Sequence, residues 1–191
     1  IAWLSIYPAV PRLSGNIIQM QILARNGPGG PMAQKPWAHN PIIVRDGKAF
    51  ALPDDAHYLL VYDAADGREL HRIDMTDYDA SDVLLGVIDD KAIVCSLNKV
   101  FCINWPVYDP AKPRDSLWWA ADMPAPSTDP NLTEEDSRDT IRGRGFVTID
   151  SVFIPTRWNL RRIEMRSGKI IETYPASGSW PAGEGPGNVL V

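Results

Sequence analysis

Apolar residues in this chain come in short runs broken by Gly, Pro, Asn and Asp, the pattern of strands joined by turns. The clearest stretch is 150–173. It predicts strands over 151–156, 160–165 and 169–173, with a two-residue turn at Trp158-Asn159 and a second turn at Arg166-Ser167-Gly168. The same plan returns at 46–73, where Asp46-Gly47 and Asp63-Ala-Ala-Asp-Gly67 supply the turns. It returns in part at 90–105, where strands over 91–96 and 100–104 flank a turn at Asn98-Lys99. Inner strands are expected at 42–44, 83–88 and 145–149, and a late outer strand at 116–119. Near the start, Ile18, Met20 and Ile22 alternate with Gln19 and Gln21, as in a half-buried strand.

The spacing is that of a repeat. Lys48 and Lys91 are 43 positions apart, and Lys91 and Ser151 are 60 apart, one period plus an insertion. A period near ~40–45 residues with four strands per unit is the signature of propeller blades. The expected fold is therefore all-β, with about three to four antiparallel four-stranded blades forming part of a larger ring. The expected organisation is a remnant of a preceding blade with a Gly/Pro loop at 1–40, blades at 41–80, 81–119 and 141–176, and a linker with the first strand of a next blade at 177–191. Between the second and third blades, 120–140 is a polar, acidic, Pro-rich insertion expected to form a loop. The chain opens at Ile1 without a start Met and ends on an apolar run, so both ends are expected to be cut from a longer chain.

Composition narrows the function classes. The 17 prolines and 14 glycines disfavour long helices. A net charge of -5 argues against a general nucleic-acid binder. No run reaches the ~18–20 apolar residues of a membrane-spanning helix.

The units resemble the repeats of the PQQ-like (quinoprotein-type) β-propeller family. The matching residues are Asp46-Gly-Lys-Ala-Phe50 with Leu60-Val-Tyr-Asp-Ala-Ala-Asp-Gly67, and Asp150-Ser-Val-Phe153 with Asn159-Leu160 and Ile163-Glu-Met-Arg-Ser-Gly-Lys169. The second unit matches in its hairpin and in Leu117-Trp118-Trp119. The resemblance covers roughly 41–175. It implies one of two branches. Quinoprotein dehydrogenases hold PQQ with Ca²⁺ beside a pair of adjacent cysteines and over a tryptophan floor. Non-enzymatic relatives use the blades as scaffolds that bind other proteins. The chain has no adjacent cysteines, so the non-catalytic branch is favoured, with no cofactor and with other chains or the rest of the propeller as partners. The alternatives are part of a PQQ-dependent oxidoreductase and a carbohydrate-binding propeller. The favoured branch implies an exported protein, periplasmic or extracellular, associated with a membrane through a partner.

The residues offer candidates rather than a catalytic set. Arg138, Arg142, Arg144, Arg157, Arg161, Arg162 and Arg166 concentrate positive charge in an acidic chain; one face could meet an anionic partner, but pairing with Glu134-Glu135-Asp136 or simple solvation is the favoured reading. Trp118 and Trp119 are adjacent in a strand, so one is expected to face outward and be open to a partner. Trp158 sits in a predicted turn beside Arg157. Trp118, Trp119, Arg142, Arg144, Arg157 and Trp158 are the candidate interaction residues. With a turn at Asn98-Lys99, Cys95 and Cys102 lie directly opposite, which permits a strained disulfide; two reduced, half-buried thiols are the favoured reading. His39, His57 and His71 lack the close spacing of a zinc site, and Asp54-Asp55 and Asp89-Asp90 read as turn residues rather than a Ca²⁺ loop.

Overall fold

The computed structural model describes residues 40–124, 139–181 and 185. The expected remnant at 1–39 with His39, the heart of the insertion at 125–138 and the final strand at 188–191 lie outside these residues.

Alternation and turn chemistry produce twelve strands among the described residues. The first four are β1 (Ile43–Arg45), β2 (Lys48–Ala51), β3 (Tyr58–Asp63) and β4 (Glu69–Asp74). The next four are β5 (Val83–Ile88), β6 (Lys91–Cys95), β7 (Lys99–Asn104) and β8 (Leu117–Asp122). The last four are β9 (Phe146–Val147), β10 (Ser151–Pro155), β11 (Leu160–Glu164) and β12 (Ile170–Tyr174). Each group pairs in chain order as an antiparallel four-stranded meander. The first strands converge, β1 on β5 and β5 on β9, and the sheets stack face to face, so these are consecutive β-propeller blades.

The core lies between blades. Phe50, Leu59, Val61 and Ile73 of the first sheet pack on Leu84, Val94, Phe101 and Ile103 of the second. Val83, Ile93, Cys95, Val100 and Cys102 on the opposite face of the second sheet pack on Val152, Ile154 and Ile163 of the third. The second sheet is apolar on both faces because both are covered. Each large side chain removed from water there contributes about 1.5–3 kcal/mol.

Every outer strand carries one extra residue at the same place. The register slips so that Leu70, Trp118 and Ile171 have no partner opposite them in β3, β7 and β11. These are bulges, which bend the strand and re-aim its side chains. Below the first and third bulges the turns are alike: Gly67 and Gly168 sit at φ 75° and 71°, and each donates its N–H to a carbonyl four residues earlier. The second blade has Trp105–Val107 and Pro113–Ser116 in short 3-10 turns there instead.

Two hairpin turns fall one residue earlier than the sequence predicts. Ser96 donates to Lys99, which makes Leu97-Asn98 the turn, and Thr156 donates to Asn159, which makes Arg157-Trp158 the turn. Lys99 is drawn into the strand, where its ammonium sits 3.1 Å from Asp79 and 3.2 Å from Asp122. The cysteine pairing changes with it. Cys95 faces Val100 and Cys102 faces Ile93, so the two are diagonal neighbours, not joined in a disulfide and fully buried. Moving the turn by one residue moves each partner by two, which leaves every side chain on its expected face. Alternation is blind to that error.

Candidate functional site

Three of the candidate residues belong to the seam between the second and third blades. The bulge at Trp118 brings both tryptophans toward the third blade, where alternation alone would set them on opposite faces. Trp119 Nε1 donates to the Met165 carbonyl at 2.7 Å, and Trp118 Nε1 donates to the Arg166 carbonyl at 3.3 Å. The Trp119 ring lies on Gly168 so closely that a Cβ there would come within 2.7 Å of it. Trp119 is buried. Trp118 remains 54% exposed, with the Lys91 ammonium 4.4 Å above its ring. Arg144 reaches the Leu84 carbonyl at 2.6 Å, and burial lowers its pKa from the usual guanidinium range. These three side chains tie blades together.

The other three meet at the end of the third blade that carries the β10–β11 turn. Ile141 bridges Thr156, the Arg142 N–H donates to Pro155 and the Arg157 N–H donates to Thr140. In this short antiparallel ladder Ile141 and Thr156 are buried, and the exposed Arg142 and Arg157 lie on its other face beside the partly buried Thr140 and the buried Pro155. Arg142 Nε donates to Thr140 Oγ1 at 3.0 Å, so its guanidinium leans toward the residue opposite Arg157. The Arg157 guanidinium stacks 4.8 Å from the Trp158 ring centre. Trp180 joins them: its N–H donates to the Trp158 carbonyl at 2.7 Å, and its Nε1 to the Thr156 carbonyl at 3.2 Å. Sequence reasoning missed Trp180, because only the fold brings the segment after β12 back over this turn.

Beneath this surface lies a buried ion pair that the sequence also concealed. Arg161 and Asp139 are 2.9 Å apart, with side chains 4% and 0% exposed. Arg161 also donates to the Asn159 side chain at 3.0 Å and to the Pro124 carbonyl, and Asp139 accepts from the Thr140 N–H at 2.8 Å. Burial raises the Asp139 pKa above the usual carboxylate range and lowers that of Arg161, so for both groups desolvation outweighs the mutual attraction. Arg162 takes the opposite face of β11, near Asp150 and Glu172. Among the described residues no carboxylate pairs with the guanidinium of Arg142 or Arg157, although the Arg157 N–H reaches the Asp139 carboxylate.

The remaining groups have local structural partners. His57 lies 4.0 Å from Asp74 and against the Tyr58 ring, and His71 packs edge-on to Trp105, where burial lowers its pKa. No three His, Cys, Asp or Glu side chains among the described residues are grouped to hold a metal. Burial pushes the Cys102 thiol up to about 12. An open cleft of about 240 Å³ between the first two blades is lined by Arg45, Lys48, Trp105, Asp46, Asp89 and Asp90. Its charges answer each other: Arg45 donates to the Val87 carbonyl at 2.9 Å and lies 3.4 Å from Asp46. Trp119 lies against Gly168, and Trp105 packs edge-on to Phe50 and His71.

No family model matches the chain, and no curated protein matches it. Solved structures are similar, three of them as follows. A quinohemoprotein alcohol dehydrogenase, ADHIIG from Pseudomonas putida HK5, is 20% identical with a TM-score of 0.46, over 69% of this chain and 19% of that one. BamB from Moraxella catarrhalis is 14% identical with a TM-score of 0.43, over 73% of this chain and 35% of that one. The computationally designed Ika8 protein is 8% identical with a TM-score of 0.45, over 72% of this chain and 36% of that one. The matched part of this chain thus spans about a fifth to a third of these proteins. No helix among the described residues is long and apolar enough to cross a membrane.

Proposed function

We propose that this chain is a stretch of a PQQ-like β-propeller that works as a non-catalytic scaffold and protein-interaction module. The observation that carries this reading is how the adjacent tryptophans are used. Both indole N–H groups are committed to carbonyls of the neighbouring blade, and one ring is pressed on a glycine. Such rings hold blades in line and leave the loops at the blade ends to meet a partner. An exported setting, periplasmic or extracellular with membrane association through a partner, accompanies the reading. The test is a titration of the chain with PQQ and Ca²⁺, followed by quinone absorption and tryptophan fluorescence. A scaffold gives no saturable change. Saturable micromolar binding overturns the reading in favour of a segment of a quinoprotein oxidoreductase. A fluorescence change on adding glycans instead overturns it in favour of a carbohydrate-binding propeller.

A further inference from the structure

We infer that the face formed by Arg142, Arg157, Trp158 and Trp180 docks an extended acidic segment of a partner protein. The inference rests on the interaction-module reading and names the site and the chemistry of its partner. Three observations carry it. First, the two guanidinium groups stand on one face of one antiparallel ladder, fixed by the Arg142–Pro155 and Arg157–Thr140 backbone bonds. Second, neither has an acidic partner among the described residues, although the chain carries more acidic than basic groups. The nearest carboxylate in sequence, Asp139, is buried and held by Arg161, so it does not neutralise this face. Third, Trp158, about one-third exposed, stacks on Arg157, and the partly buried Trp180 is tied to it by a backbone bond. Arginine beside tryptophan is the pairing enriched where proteins recognise proteins.

Geometry favours a strand-like ligand over a single anion. In the ladder Arg142 is opposite Pro155 and Arg157 is opposite Thr140, so the arginines are diagonal neighbours, a placement that sets their side chains' points of attachment roughly 7–8 Å apart. Carboxylates on alternate residues of an extended segment are about 6.5–7 Å apart. A Glu-x-Glu segment therefore presents both carboxylates to this face at a matching spacing, with the intervening side chain pointing away from it.

The test is fluorescence anisotropy of the full chain with a labelled peptide of alternating Glu and Gly at low ionic strength. Binding is expected, weakening as salt rises. R142Q and R157Q are each expected to weaken it roughly threefold to fivefold, and together about tenfold or more, with unchanged thermal melting. R166Q, an exposed guanidinium at the opposite end of the blade, is expected to bind like the parent. A peptide with Glu at every fourth position is expected to bind less tightly. The inference is overturned if the parent does not bind the alternating peptide, or if the folded double variant binds it undiminished. It is also overturned if millimolar inorganic phosphate or an oligonucleotide displaces the peptide with equal effect on parent and double variant. The two readings fail separately. Saturable PQQ binding removes the scaffold reading whatever the peptide does, and undiminished peptide binding by the double variant removes this site whatever PQQ does.

Discussion

Gly168→Ala probes the blade seam more directly than any other single change. Two costs act at that position. The residue sits at φ 71°, where any side chain is strained, by roughly 1 kcal/mol. A methyl group there would also stand 2.7 Å from Trp119 Cδ2 and 2.8 Å from Cγ, which overpacks the seam for about 1–3 kcal/mol more. The expected loss is therefore about 2–4 kcal/mol in urea denaturation. Gly47→Ala separates the terms. Gly47 has φ 70° and nothing within 4 Å of its would-be Cβ, so the strain term alone applies, at about 1 kcal/mol. A double-mutant cycle with Trp119→Leu completes the argument. Removing the indole frees the space, so Gly168→Ala should cost at least ~1 kcal/mol less in that background. Equal losses for Gly168→Ala and Gly47→Ala, or an additive cycle, would refute the claim that the seam is held by an indole seated on a glycine.

Three further outcomes are expected. Trp119→Phe should cost about 1 kcal/mol for the lost 2.7 Å donation to Met165, and Trp118→Phe less, since its bond is 3.3 Å and half in solvent; equal stabilities would overturn the ranking. Arg161→Met strands a buried carboxylate and should cost about 3 kcal/mol or more at neutral pH. Because Asp139 is held above its usual pKa, its stabilising share is complete below the unfolded value and is lost as pH rises through the folded one. The advantage of the parent over Asp139→Asn should thus be largest in acid and shrink toward neutrality, and denaturation curves of both proteins across that range check the sign. Neither thiol should react with a disulfide reagent at pH 8 in the folded protein, and both should react in guanidinium; rapid native labelling would contradict the burial of Cys95 and Cys102.

The candidate site was partly legible. Arg157 and Trp158 stand together because they share one turn, whereas Arg142 is brought beside them only by the Ile141–Thr156 bridge. Arg144 looked equivalent and is instead spent on the Leu84 carbonyl of the neighbouring blade. Arg161 is the plainest case. Among its arginine neighbours nothing marks it as different, yet it is the one buried on Asp139.

The sequence by itself determined the strands, the turn chemistry and the repeat. Period-2 alternation and the conformational freedom of Asp46-Gly47, Gly67 and Gly168 are local properties, written into each stretch without reference to the others. Only the tertiary structure decided register and direction. The bulges at Leu70, Trp118 and Ile171 add one residue to a run without altering its composition, and the slipped hairpins at Leu97-Asn98 and Arg157-Trp158 leave every face as predicted. Strand pairing is a choice between two segments, and a shift by two preserves all the burial that a single strand records. That choice turned both tryptophans into the seam, kept the cysteines apart, and set two arginines on one open face.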